Sequence, residues 1–213
     1  MKKLIDNLIS EGYLKTPAII QAFRQVNRTD FLLPGERSQE ELEAESEINA
    51  PLPIDEGQTI SQPLTVAFML ELLQVRPGDR VLDVGSGSGW VACLLAKLVG
   101  SAGRVIALER ILKLKKFGEA NARKYNFHNL KFIHGDGTRG YPAEAPYDKI
   151  HVAAAAKSIP RLLIEQLAKG GKMVIPVGVG LQDMVQISKS PDGTITEKRF
   201  PGFVFVPLVE SKD

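Results

Sequence analysis

The first third of the chain spaces its apolar residues as a helix does. Leu4, Ile5, Leu8 and Ile9 recur three and four apart, which puts them on one face of a first helix. Thr16-Pro17 reads as a cap and first-turn proline, and Ala18, Ile19, Ala22, Phe23 and Val26 form the apolar stripe of a second helix. Between Glu36 and Glu47 the stripe disappears beneath six glutamates and one arginine. That composition predicts an exposed loop or a solvated helix, with a patch for a basic partner as the alternative.

From Arg80 onward the rhythm changes to short apolar strands separated by helical segments. Strands are expected at Arg80–Val84, Arg104–Leu108, Leu130–Ile133, Lys149–Ala153 and Lys172–Val177. Helices are expected at Gly89–Val99, at Ile111–Tyr125 with a basic outer face, and at Ile159–Ala168, stopping at Gly170-Gly171. Strands alternating with helices of this length indicate βαβ units and a parallel sheet. The tail reads differently. Met184–Ser188, Thr194–Arg199 and Phe203–Leu208 are separated by Pro191-Asp192-Gly193 and Pro201-Gly202, turn signals that place antiparallel strands at one edge. The expected architecture is α/β, a doubly wound and mostly parallel sheet with antiparallel edge strands. It forms a single domain whose N-terminal helices and lid cover residues 1–79 and whose core covers 80–213.

Composition narrows the function. The 213 residues are 44% hydrophobic and 24% charged, the values of a globular chain. A net charge of +2 from 27 basic and 25 acidic side chains offers no basic stripe for nucleic acid. No uncharged apolar run approaches the ~20 residues of a membrane helix, and Asp6 and Asn7 interrupt any signal-peptide core. Cys93 is the single cysteine, which excludes an internal disulfide and suits a reducing compartment. A cytoplasmic monomer is expected. His128, His134 and His151 lack metal-ligand spacing, so no metal is expected.

The most informative short segment is Val81-Leu82-Asp83-Val84-Gly85-Ser86-Gly87-Ser88-Gly89, an apolar strand running into glycines and then a helix. Such a turn lets a ligand approach the backbone and meet free helix N–H groups. A dinucleotide fingerprint would need glycine where Trp90 stands, and a P-loop would need a Gly-Lys pair that is missing. The pattern is instead Gly-x-Gly-x-Gly with an acid, Asp83, two positions ahead. A carboxylate there repels a pyrophosphate and suits a cationic ligand. Glu109 closes the next strand, and Asp136 lies between Gly135 and Gly137 after the one following. By itself Asp136 is equally a turn residue, and Glu109 also fits a nicotinamide dinucleotide.

Taken together, the glycine spacing and the three strand-end acids resemble the class I S-adenosylmethionine-dependent methyltransferases, which have a Rossmann-like fold. A second set of residues resembles one family within them, the protein-L-isoaspartate (D-aspartate) O-methyltransferases. It comprises Pro51-Leu52-Pro53-Ile54, Gly57-Gln58-Thr59-Ile60-Ser61-Gln62-Pro63, Gly140-Tyr141, Ala145-Pro146-Tyr147-Asp148, Ala153–Ala156 with Ile159-Pro160, Ile175-Pro176-Val177-Gly178 and Phe205-Val206-Pro207-Leu208. Two stretches depart from that pattern. Glu47-Ile48-Asn49-Ala50 stands where the family has a Tyr-x-Asp-like stretch, and Asp55-Glu56 where it has a glycine and an aromatic or small residue.

The resemblance implies S-adenosyl-L-methionine as cofactor, with S-adenosyl-L-homocysteine as product, and isoaspartyl-containing proteins and peptides as partners. It implies cofactor contacts from Thr59, Ile60, Ser61, Asp83, Gly85, Ser86, Gly87, Gly89, Glu109, Arg110, Asp136 and Gly137. In that scheme Glu109 takes the ribose hydroxyls and Asp136 the adenine amino group. Substrate contacts are implied for Gln58, Thr59, Ser61, Val206 and Pro207. Ser61 is the candidate catalytic residue, because a hydroxyl can orient a carboxylate without acquiring charge. Its competing role is an N-cap ahead of Pro63. Gln182 is either a ligand contact or a plain loop amide, and Cys93 belongs to the core. The reaction needs no general base, since a carboxyl group with a pKa of about 4 is already ionised at pH 7. Two rivals share these motifs: a methyltransferase for one dedicated peptide aspartate, and a non-catalytic S-adenosylmethionine-binding module.

Overall fold

The computed structural model describes residues 1–210. Seven strands form the central sheet: β3 (Arg80–Val84), β4 (Arg104–Glu109), β5 (Leu130–His134), β6 (Tyr147–Val152), β7 (Leu167–Val177), β8 (Gln182–Lys189) and β9 (Ile195–Phe203). Their order is β5-β4-β3-β6-β7-β8-β9, parallel from β5 through β7 and antiparallel at β8 and β9. A separate hairpin joins β1 (Leu52–Asp55) to β2 (Gln58–Ile60). The chain leaves β3 for β4 on one side and returns to β6 on the other, so the sheet reverses direction at β3. Ligands of open α/β sheets bind at such a switch point, beyond the carboxyl ends of the strands.

Both faces of the sheet are covered, as a parallel sheet requires. One face carries α4 (Pro63–Leu73), α5 (Trp90–Val99) and α6 (Leu112–Ala122), together with the N-terminal helices α1 (Lys2–Ser10) and α2 (Pro17–Gln25), in one continuous core. The other carries α7 (Arg161–Gln166) and a smaller core built from Leu82, Val84, Ile150, Val152 and Leu163. Every residue of α5 except Lys97 is buried, because α2 packs on the side away from the sheet. Fully burying each Leu or Val contributes roughly 1.5–3 kcal/mol, so the N-terminal helices are integral to the core.

Several expected boundaries move. The glutamate-rich stretch forms α3 (Gln39–Ser46), opened by a Ser38–Glu41 capping box, with Leu42 buried. The helix expected at Ile159–Ala168 ends at Gln166, and Gly170-Gly171 lies inside β7 instead of stopping a helix. Pro201-Gly202 makes no turn. Strand β9 runs through it to Phe203, and a register shift opposite Gln182 and Asp183 absorbs the proline. An edge strand tolerates proline because its outer N–H has no ladder partner. The strand expected at Phe203–Leu208 is therefore only an extended tail bridged to Ala155, which donates to Val206 and accepts from Leu208, each at 2.8 Å.

Candidate active site

The loop after β3 turns at three glycines, Gly85, Gly87 and Gly89, all with positive φ (79°, 49° and 87°). A side chain at Gly87 would come within 3.1 Å of Ile54 in the hairpin, and one at Gly89 within 2.8 Å of the Gly118 carbonyl. The first glycine therefore admits the hairpin, and the second lets α5 and α6 close on one another. Across the loop, Glu109 is buried at the tip of β4. Its two oxygens accept from the N–H groups of Gly87 (3.0 Å) and Ile111 (2.9 Å). These bonds hold the carboxylate still and leave further lone pairs on both oxygens.

Hairpin and loop enclose a cavity with about 950 Å³ of atom-free space, part of it open to solvent. Gln58, Thr59, Ile60 and Ser61 form one wall, and Gly85–Ser88 with Glu109, Arg110 and Ile111 form another. Trp90 and Val91 add an apolar surface, and Gly137, Ala153 and Val206–Leu208 line the remainder. Trp90 is fixed edge-on by Phe23 and sits 5.6 Å from the guanidinium carbon of Arg28.

Arg28 is the organiser that sequence reasoning missed. It is fully buried and has no carboxylate partner among the described residues. Its guanidinium donates to four backbone carbonyls: Ile48 (2.8 Å), Ala50 (2.7 Å), Ser46 (3.4 Å) and Ser61 (3.2 Å). Burial pulls its pKa down from the ordinary arginine value to about 10, so it remains a cation at pH 7. The departing stretch Glu47–Ala50 and the lid serine are thus tied to one side chain. Nothing in the local sequence, Asn27-Arg28-Thr29-Asp30, marks the arginine as buried.

Ser61 lines the cavity, and its hydroxyl makes no hydrogen bond among the described residues. The capping role is not realised: Gln62 occupies the N-cap position of α4 and makes no side-chain cap bond. Thr59, Ile60, Gln58, Gly85, Ser86, Gly87, Glu109, Arg110, Gly137, Val206 and Pro207 also line the cavity. Three predicted residues do not. Gly89 packs against Gly118. Asp136 caps a 3₁₀ turn, accepting from the Thr138 N–H and hydroxyl at 2.8 and 2.7 Å. Asp83 lies wholly buried behind the loop, paired with His151. For the two acids the reason is shared: a strand-end acid can satisfy its own backbone or a neighbouring strand as readily as a ligand. Gln182 is a structural amide, donating to Gly180 and accepting from the Phe205 N–H, both at 2.7 Å. Among the described residues no group of acids, histidines and cysteines could hold a metal.

The family model described as protein-L-isoaspartate(D-aspartate) O-methyltransferase (PCMT) matches residues 1–213. The chain belongs to the PCMT family. A protein-L-isoaspartate O-methyltransferase of Methanopyrus kandleri is 45% identical over 210 residues, 98% of this chain and 90% of that one. Its counterpart in Ignicoccus hospitalis is 44% identical, covering 99% and 98%. A PCMT structure from Plasmodium falciparum, in complex with S-adenosyl-L-homocysteine, superposes with a TM-score of 0.85 at 29% identity, covering 99% and 98%.

The residues present fit the cofactor of the PCMT family. Ser86 Oγ is buried in the cavity wall without a partner among the described residues, and Glu109 presents a fixed carboxylate there. An orphaned buried hydroxyl costs free energy unless a ligand completes it.

Proposed function

We propose that this chain is an S-adenosyl-L-methionine-dependent protein-L-isoaspartate O-methyltransferase, acting on L-isoaspartyl and D-aspartyl residues of damaged proteins. The observation that carries this reading is the shared cavity, in which the Thr59–Ser61 wall faces the Glu109 and glycine-loop wall. Glu109 would hold the ribose hydroxyls, and Ser86 with the loop N–H groups the remainder. Bound S-adenosyl-L-methionine supplies a sulfonium-activated methyl group, which a carboxylate oxygen can take as the carbon–sulfur bond breaks and its electron pair stays on sulfur. Ser61 donates its free hydroxyl to the incoming carboxylate and sets the line of attack. Trp90, Val91 and Leu114 keep water from the cavity, where alignment of two reactants contributes several kcal/mol. No proton changes hands at the reacting oxygen.

The single free Cys93, buried in α5, agrees with a reducing, cytoplasmic setting, and no helix among the described residues is long and apolar enough to cross a membrane. The deciding experiment supplies labelled S-adenosyl-L-methionine with an isoaspartyl peptide and its matched aspartyl form. Base-labile, volatile label is expected from the first and almost none from the second. Equal labelling would favour a broader carboxyl methyltransferase, and cofactor binding without transfer a non-catalytic module.

A further inference from the structure

Among the described residues nine large hydrophobic side chains are exposed, and three stand apart from the rest: Val179 at 79%, Val204 at 77% and Leu181 at 70%, with none of the others above 47%. Single exposed hydrophobics are ordinary on a protein surface. These three are neighbours. Val179 and Leu181 lie in the loop between β7 and β8, and Val204 directly follows β9. Gln182 ties the two segments together: it pairs in register with Phe203, its amide donates to the Gly180 carbonyl, and its side-chain oxygen accepts from the Phe205 N–H, both bonds at 2.7 Å. Neither Gly178–Gln182 nor Phe203–Leu208 contains a charged residue. Loop tips ordinarily carry polar residues, and apolar side chains held this far into solvent add no burial to the fold of the free chain.

The same tail runs on into the cavity, which Val206, Pro207, Leu208 and Val209 line. Val204 lies two residues before Val206 on that extended segment, where alternate side chains share a side. An apolar rim therefore leads from the cavity wall out to Val204 and across to Leu181 and Val179. Apolar surface of this kind marks an interaction site, and its size selects the occupant. A stable dimer uses roughly 20–30 residues a side, whereas three or four side chains match one or two residues of a peptide. We propose that this rim binds apolar side chains next to the isoaspartyl residue, so that the enzyme selects damage lying in apolar stretches of a protein. This rests on the reading that the cavity beside Ser61 receives the isoaspartyl carboxylate. A peptide delivering that carboxylate has to cross the lip of the cavity, and on the side of the tail the lip is this rim. Apolar stretches are buried in intact proteins, so the favoured substrate is a damaged chain that has unfolded or frayed.

The test uses isoaspartyl peptides that differ only in the neighbours of the isoaspartyl residue: leucine on the N-terminal side, leucine on the C-terminal side, or serine on both. With labelled S-adenosyl-L-methionine, the KM of at least one leucine peptide should lie about tenfold below that of the serine peptide, the effect of covering most of one leucine side chain. In the double variant Val179→Ser, Leu181→Ser that advantage should shrink to about twofold or less, with the loss falling on the KM of the leucine peptide. Both side chains are exposed, so an unchanged Tm is expected, and the wild-type comparison stands even if the variant fails to fold. Sedimentation velocity on the wild type and the variant reports whether the rim instead joins two copies. Equal KM values for leucine and serine peptides in the wild type, or a preference that survives the double substitution, would overturn the proposal while leaving the methyltransferase reading intact. A dimer that the substitutions dissociate would overturn it too, giving the rim to a second copy of the chain. No methylation of any isoaspartyl peptide would overturn both.

Discussion

Replacing Arg28 with methionine tests how the lid serine is placed. The substitution keeps an unbranched apolar stem beside Trp90 and removes the guanidinium. Two of its four bonds are short, to Ile48 and Ala50 at 2.8 and 2.7 Å. Bonds from a charged donor contribute roughly 1.5–3 kcal/mol each, so these two represent about 3–6 kcal/mol. Against this stands the cost of keeping the cation dry. Burial lowers its pKa from the ordinary arginine value to about 10, which at about 1.4 kcal/mol per pH unit is about 3.5 kcal/mol recovered on removal. The difference is a net destabilisation of about 1 kcal/mol, or roughly 2–4 °C in Tm for a chain of this length. The catalytic effect should exceed the stability effect, since Ser61 loses its tether at 3.2 Å and a displacement of about 1 Å can cost on the order of a hundredfold. Differential scanning calorimetry and steady-state methylation of an isoaspartyl peptide, run well below the lowered Tm, separate the two. A variant with the expected Tm loss but wild-type kcat/KM would show that Arg28 holds the 46–50 segment together without placing Ser61.

Ser61→Ala should lower kcat/KM for the isoaspartyl peptide roughly 10- to 100-fold, the value of one hydrogen bond to a charged group. Its Tm should stay within about 1 °C, because the hydroxyl bonds nothing among the described residues; the opposite pattern would restore the capping role. At the hairpin tip, Lys113 pairs with Asp55 (2.6 Å) and Glu56 (3.4 Å) and holds the Asp55 carboxyl below its usual 3.8, while its own ammonium rises above 10.5. The Asp55 contribution is complete above pH ~4 and lost as pH falls through the lowered pKa, and that of Lys113 is complete below 10.5 and lost above its raised one. Hydrogen-exchange protection at β1–β2, relative to the intrinsic exchange rate at each pH, should therefore fall at low pH, at high salt and in Lys113→Ala. Protection indifferent to all three would mean that the contact of Ile54 with the glycine loop alone holds the hairpin.

Much of this chain was legible as written because the decisive signals are local. Alternating strands and helices from Arg80, the glycines at 85, 87 and 89 and the Thr59–Ser61 stretch follow from backbone conformation and side-chain periodicity, which neighbouring residues settle. Local signals mislead where a segment has two ways to satisfy itself. Pro201-Gly202 spells a turn, yet pairing with β8 carries the strand through it, and Gly170-Gly171 spells a helix stop but lies in β7. Asp83, Glu109 and Asp136 looked alike as acids at strand ends. The register of β3 with β6 gave the first to His151, a pair of loop N–H groups fixed the second at the cavity, and a 3₁₀ turn took up the third. The fold was already implied by the spacing of apolar residues. Which polar side chain faces a ligand and which faces its own protein was decided only when strands 68 residues apart in sequence met within hydrogen-bond distance, since a buried polar atom takes whatever partner the packing brings it.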